Sequence, residues 1–358
     1  MIYLDYQATT PLAPQARDAM LRWLDGPEGT GFGNPHSAHR MGRQARAAIE
    51  LARDRVAALF PAGGQVIFTG SATEAINLAI RGSGKGGSVS VSAIEHAAVL
   101  DTAEALGQKH ELNVAADGQC NTNQDVPNDT RLIAVMQVNN EIGVVQPTVE
   151  WHRKAKASNA LYLCDAVQAY GKIEVTGADM IAVSAHKLHG PKGVGALWVR
   201  DGVRLDEVQT GGGQEGGLRS GTLSPALIAG FGAAANVAKE RMAEDAAHVE
   251  ALWNRARELF ADWTLNGSED ARWHGNLNIR RDGLDVNRLM SDCRDVMFSA
   301  GSACASGSGR PSHVLKAIGL SDAQAKSSIR LGFGRYTSLE DIEQAARQIN
   351  VAAKEQGL

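Results

Sequence analysis

Short apolar runs alternate along the chain with stretches in which apolar positions recur every three or four residues. Gln65–Thr69 (QVIFT), Ser88–Ser92 (SVSVS), Arg131–Val138 (RLIAVMQV), Leu161–Cys164 (LYLC), Met180–Ser184 (MIAVS) and Gly195–Val199 (GALWV) predict strands. Between them, Gln44–Leu59 predicts a helix with Ala45, Ala48, Ile49, Ala52, Val56 and Leu59 on one face. Apolar strands alternating with amphipathic helices indicate an α/β fold, a mostly parallel sheet covered on both faces. A different region begins near Ser224, where Ser-Pro is a helix start. A long Ala-rich helical pattern runs from there to about Trp263. Short strands at Leu277–Ile279 and Ile329–Phe333, a helix near Val286–Arg294 and a final helix opened by the capping box Ser338-Leu-Glu-Asp341 complete the prediction. IYLDY at the N-terminus reads as one more strand.

Composition narrows the function classes. The 358 residues include 44% hydrophobic and 21% charged positions, and the formal net charge is −4. A dedicated nucleic-acid surface would need a basic excess, which is absent. Four cysteines (Cys120, Cys164, Cys293, Cys304) show no disulfide framework and no zinc spacing. No apolar run approaches the ~18 residues of a spanning helix. With a strand starting almost at Met1 and no room for a leader, the expectation is a cytoplasmic, non-membrane protein.

The candidate chemistry is concentrated at a few places. Cys304 is the reactive side chain in Ser299–Gly309 (SAGSACASGSG), a run otherwise made of Ser, Ala and Gly. Such a run has little to bury, so it predicts a mobile loop that carries a thiol between a buried partner and solvent. A buried small-residue strand with an inert thiol is the alternative. Lys187 follows the strand MIAVS and precedes Gly and Pro, which puts it at the edge where open parallel sheets bind ligands. A lysine there can form a Schiff base with a carbonyl cofactor, or it is an ordinary loop lysine. Asp165 ends the preceding strand and suits a pyridinium nitrogen, or caps a helix. Ser71-Ala72-Thr73-Glu74 opens a helix after QVIFT; its amides and hydroxyls suit a phosphate, or simply cap. Ser184 and His186 add phosphate donors, His96 offers a ring face for stacking, and Gln168 could donate to a phenolic oxygen. Cys164 reads as core, Cys293 as part of a helix, and Cys120 as exposed in a polar stretch.

Taken in order, SATEAIN, EHAAVL, VNNEIGVVQP, DAVQ, SAHKLHGPKGVGAL, RSGT, GSAC and SSIRLGFGRYT resemble the cysteine desulfurases, pyridoxal-phosphate enzymes of the class V aminotransferase group. The resemblance extends from IYLDYQATTP to the last helix. It implies the type I pyridoxal-phosphate transferase fold, with a large cofactor-binding domain at 13–245. A small α+β domain would be built from 1–12 and 246–358 and would include the Cys304 loop. It implies a homodimer. By position it implies Lys187 as Schiff-base lysine, Asp165 as ring-nitrogen partner, Gln168 as phenolic-oxygen donor and His96 as the stacking histidine. Ala72, Thr73, Ser184 and His186 fall at the phosphate, with Thr222 donated across the dimer interface. Asn140 and Arg330 fall at the substrate carboxylate, where a guanidinium fork suits two oxygens. Cys304 falls at the persulfide-forming cysteine.

The resemblance implies conversion of L-cysteine to L-alanine, with the sulfur held on Cys304 and passed to a protein acceptor for iron–sulfur assembly or thiolation. A selenocysteine lyase and a class V aminotransferase are the alternatives within the group. A non-catalytic docking subunit is disfavoured by the presence of Lys187, Asp165 and Cys304 together. Many relatives continue into a C-terminal segment that docks a scaffold, whereas this chain stops at Leu358 soon after its last helix.

Overall fold

The structure is a computed structural model that describes residues 1–301 and 311–358. Cys304 and the rest of its predicted loop from 302 to 309 lie outside the described residues. In chain order the first half holds β1 (Ile2–Tyr3), α1 (Pro14–Leu21), α2 (Arg40–Ala57), β2 (Gly64–Thr69), α3 (Ala72–Gly82), β3 (Ser88–Ser92), α4 (Ala97–Ala105), β4 (Lys109–Leu112), β5 (Thr130–Ala134) and α5 (Thr148–Ala157). Then come β6 (Leu161–Asp165), β7 (Met180–Ser184), β8 (Gly195–Arg200), α6 (Pro225–Leu259), β9 (Thr264–Leu265), β10 (Asn276–Arg280), α7 (Val286–Asp292), β11 (Val296–Met297), β12 (Ser299–Ala300), α8 (His313–Ala317), α9 (Asp322–Lys326), β13 (Ser328–Gly332) and α10 (Leu339–Lys354).

Seven strands form the main sheet in the order β2-β8-β7-β6-β5-β3-β4. β8 runs antiparallel to both neighbours and the other pairs are parallel. This is the mostly parallel α/β sheet that the strand–helix alternation predicts. Successive side chains in a strand point to opposite faces, and here both faces are dry. Ile67, Leu163, Met180 and Leu197 pack with α3 and α4. Their neighbours Phe68, Tyr162, Cys164, Ile181 and Trp198 pack with α2, α5 and the first half of α6. A strand covered on both sides reads as an unbroken apolar run, which is why QVIFT and MIAVS show no alternation.

A second core collects Ile2 and Leu4, the second half of α6 (Val249, Leu252, Trp253), β10, β13 and α10. Its sheet is antiparallel, in the order β12-β13-β10-β9. The 35-residue α6 joins the two cores. Its start is the predicted one: the Ser224 hydroxyl accepts from the Leu227 amide and Pro225 opens the helix. The last helix is also opened as predicted, by the reciprocal Ser338–Asp341 capping box.

Several boundaries differ from the pattern. The strand predicted to Val138 ends at Ala134, because the Met136 amide leaves the ladder for the Glu95 carboxyl. α2 begins at Arg40 rather than Gln44, since the His39 imidazole caps it through the Gly42 amide. α6 stops at Leu259, not Trp263. The small-residue run is not loop from its start: Ser299 and Ala300 form β12, paired with Arg330 and Ile329. Cys120 is buried rather than exposed, its amide held by the Gln146 side chain. Cys164 and Cys293 are buried as well. Burial pushes the Cys120 thiol up to about 12, and raises those of Cys164 and Cys293. Thiolates are the reactive form, so these three are packing residues.

Candidate active site

The carboxyl ends of β2, β3, β5, β6 and β7 open on one edge of the main sheet, since all five point the same way. The loops leaving that edge surround a cavity of about 320 Å³. Ten predicted residues line it. Ala72 and Thr73 come from the first turn of α3, Asp165 and Ser184 from the last positions of β6 and β7, and Gln168, His186 and Lys187 from the segments that follow those strands. His96, Asn140 and Arg330 complete the lining. The size falls within the range of small-molecule sites.

At one end, Ser71 caps α3 by accepting from the Glu74 amide, while Ala72 and Thr73 begin the helix. First-turn amides have no intrahelical acceptor and favour an anion. The Glu74 carboxylate would repel one, but it is tied down by Arg219 at 2.6 Å and by the Gly70 amide at 2.6 Å. Gly195 lets this turn sit against β8: a Cβ there would lie 2.6 Å from the Ser71 carbonyl carbon and 2.8 Å from the Ala72 nitrogen. Ser184 is buried at the end of β7. His186 shares a hydrogen bond with the Thr9 hydroxyl, and burial, reinforced by Lys187, lowers its pKa to about 4.

Lys187 sits in a short 3-10 turn over Ala185–Lys187, where its amine donates to the carbonyls of Gln7 and, at 2.8 Å, Ala8. Asp165 is buried, and one carboxylate oxygen accepts from the Val167 amide at 2.9 Å. Burial raises the pKa of this carboxyl, and the nearby His96 and Lys187 pull it back. A carboxylate made more basic in this way is a strong acceptor for a proton on a ring nitrogen. His96 caps α4 by accepting from the Ala98 amide through Nδ1, which leaves Nε2 as the atom that carries the proton. Its neighbour Glu95 is fully buried and held well above the ordinary carboxylate range by that burial, so it adds no charge.

Of the predicted residues among those described, one lies outside the cavity. Thr222 is exposed and does not line this cavity. Gln168 lines it, but its amide nitrogen donates to the Gln7 carbonyl at 3.0 Å and its oxygen accepts from Lys172 at 3.2 Å. Sequence reasoning missed Gln7, Ala8 and Asp5. All lie in IYLDYQATTP, where IYLDY reads as a strand and the whole run only as the start of the resemblance, with no site role given to any of them; the Lys187 contacts come from Gln7 and Ala8 carbonyls, which leave no side-chain signal.

The donor set fits pyridoxal phosphate. An anion cradle, a lysine amine and a basic buried carboxylate line a single cavity, together with the neutral His186 and the hydroxyls of Thr73 and Ser184. Among the described residues no His, Cys, Asp or Glu cluster could hold a metal ion, and no helix is long and apolar enough to cross a membrane.

Comparisons with known proteins agree. The Aminotransferase class-V family pattern matches residues 2–345. The cysteine desulfurase IscS of Colwellia psychrerythraea is 40% identical over 98% of this chain and 92% of its own. The mitochondrial cysteine desulfurase of Saccharomyces cerevisiae is 39% identical over 99% of this chain and 75% of its own. A solved NifS-like protein superposes with a TM-score of 0.90 at 29% identity, covering 99% of both chains. A structure described as SspA in complex with cysteine has a TM-score of 0.82 at 33% identity, over 94% of this chain and all of that one. The chain therefore belongs to the class-V aminotransferases, among the cysteine desulfurases, a pyridoxal-phosphate-dependent family with the type I fold.

Proposed function

We propose that this protein desulfurates L-cysteine to L-alanine and holds the sulfur as a persulfide on Cys304. The observation that carries the reading is one cavity uniting Lys187, Asp165, the α3 N-terminus and Arg330. Bound there, pyridoxal phosphate supplies an electrophilic carbonyl carbon and a ring that accepts an electron pair from the substrate. Ala72, Thr73, Ser184 and His186 hold its phosphate, Asp165 keeps the ring-nitrogen proton, and His96 faces the ring. Arg330 and Asn140 orient the substrate by its carboxylate. The Lys187 amine removes the Cα proton and later returns one. The Cys304 thiolate takes the substrate sulfur: the carbon–sulfur bond breaks, a sulfur–sulfur bond forms, and the carbon left behind gains a proton. No outside oxidant or reductant enters, because Cys304-SH and cysteine become Cys304-SSH and alanine.

The same reading makes the protein a homodimer in which Thr222, exposed on one chain, serves the partner's phosphate site. It passes sulfur to a protein acceptor for iron–sulfur assembly or thiolation, without a nucleic-acid or membrane partner, in the cytoplasm. The chain divides into a large body, 13–245, and a small one, 1–12 with 246–358. That division is supported by the buried halves of α6, which fall in different cores. Two variants test the chemistry. Cys304→Ala is expected to bind the cofactor and L-cysteine with a normal visible spectrum yet form no alanine. Lys187→Ala is expected to lose turnover by at least about a thousandfold, the scale of a lost proton-transfer group. Normal alanine production by either variant would remove that residue from the mechanism.

A further inference from the structure

Arg330 is 1% exposed, yet it carries a charge that burial would make costly without a counter-ion. Asp5 supplies that counter-ion. Its Oδ1 accepts from Arg330 Nη2 at 2.8 Å and from the Ser299 hydroxyl at 2.8 Å. Arg330 Nη2 also lies 3.3 Å from the Ser299 oxygen, and Nη1 donates to the Asn140 carbonyl at 3.0 Å. The Nε N–H is buried with no hydrogen-bond partner among the described residues. Asp5 is fastened from behind: its carbonyl accepts from the Ala8 amide, and its backbone bridges Gly332, two residues beyond Arg330 on β13. Glu141, the other carboxyl near this guanidinium, is pushed toward its neutral form by burial and takes the Ser312 hydroxyl hydrogen. Before any substrate arrives, the guanidinium therefore already pairs directly with the Asp5 carboxylate.

A substrate carboxylate adds a second anion to the same guanidinium. We propose that Asp5 is a positioning residue that both holds Arg330 in place and weakens its grip on an incoming carboxylate, so that the product L-alanine is released. The proposal rests on the reading of Arg330 as the carboxylate anchor. Two carboxylates about 6 Å apart across a medium of effective dielectric constant about 20 repel by an amount equal to on the order of a hundredfold in a binding constant. Asp5→Asn keeps an oxygen acceptor for Arg330 and Ser299 and removes only the charge.

The test uses the holoenzyme with L-alanine as the ligand, read by inhibition, by absorbance titration and by thermal unfolding. Asp5→Asn is expected to bind L-alanine at least about tenfold more tightly than the native enzyme and to lower KM for L-cysteine in parallel without raising kcat. Its unfolding midpoint is expected to fall without ligand and to recover with L-alanine, since the ligand restores the counter-ion. A purely structural role would not produce tighter binding with an unraised kcat. Unchanged or weaker L-alanine binding by Asp5→Asn overturns the proposal. If that variant does not fold, Ser299→Ala, with Asp5 still charged, is expected to bind L-alanine no tighter than the native enzyme, and a tenfold tightening there overturns the proposal. Arg330→Gln separates the two readings. If it leaves L-alanine binding unchanged, Arg330 is not the anchor and the underlying reading fails. If it abolishes binding while Asp5→Asn changes nothing, only the role of Asp5 fails.

Discussion

Replacing Gly195 with alanine tests whether backbone packing sets the phosphate cradle. Gly195 opens β8 between Thr69 of β2 and Ser184 of β7, two residues whose strands lead directly into the site. A Cβ built there lies 2.6 Å from the Ser71 carbonyl carbon, 2.7 Å from the Val183 oxygen and 2.8 Å from the Ala72 nitrogen. Ordinary contact begins at 3.4 Å, so one side must retreat by 0.6 to 0.8 Å (3.4 less 2.8 and 3.4 less 2.6). All three obstacles are main-chain atoms, and no side-chain rotation relieves them. Overpacking of this kind costs about 1–3 kcal/mol. The displaced turn carries the Ala72 and Thr73 amides. Losing one hydrogen bond to a charged group costs about 1.5–3 kcal/mol, or roughly tenfold to a hundredfold in cofactor affinity. Absorbance titration of the apoprotein with pyridoxal phosphate measures that affinity, and thermal unfolding measures the packing cost. Gly195→Ala with cofactor affinity within about twofold and a midpoint within about 1 °C of the native protein would refute the reasoning.

Glu215→Gln is expected to destabilise the chain by about 3 kcal/mol, the scale of a broken buried pair. Glu215 is 2% exposed in its side chain, takes both terminal nitrogens of Arg53 at 2.7 Å and caps the Phe68 amide, all from a left-handed backbone at φ 50°. An unfolding curve identical to the native one would contradict that role. His189 gives a pH prediction. Burial, with Arg335 adding to it, lowers its pKa from 6.5 to about 4. The unfolded chain then binds a proton that the folded chain refuses between those values. Its contribution is fully present above pH 6.5 and is lost as pH falls toward 4, about 3 kcal/mol in all. The urea midpoint is expected to drop over this range, and less steeply in His189→Gln; equal slopes would exclude His189 as a source.

The sheet was legible because its strands are buried on both faces, which writes continuous apolar runs such as MIAVS into the sequence. The caps at Ser71, Ser224 and Ser338 were legible because a hydroxyl at that position satisfies an amide locally. The residues gathered at the cavity could be named from ordered motifs, since most sit at or just past the carboxyl end of a main-sheet strand, with Arg330 inside β13. What the sequence could not determine was contact at long separation. Lys187 meets the carbonyls of Gln7 and Ala8, and Arg330 meets Asp5, across half the chain or more. Backbone acceptors have no residue identity, and a counter-ion 325 positions away leaves no periodicity. Glu215 lies in the glycine-rich run GGGQEGGLRSG, which carries no apolar period, yet tertiary burial of its carboxylate against Arg53 pins that stretch to α2 and β2. Local patterns specify which elements form; only packing decides which of their polar groups must neutralise one another, because that depends on which groups folding removes from water together.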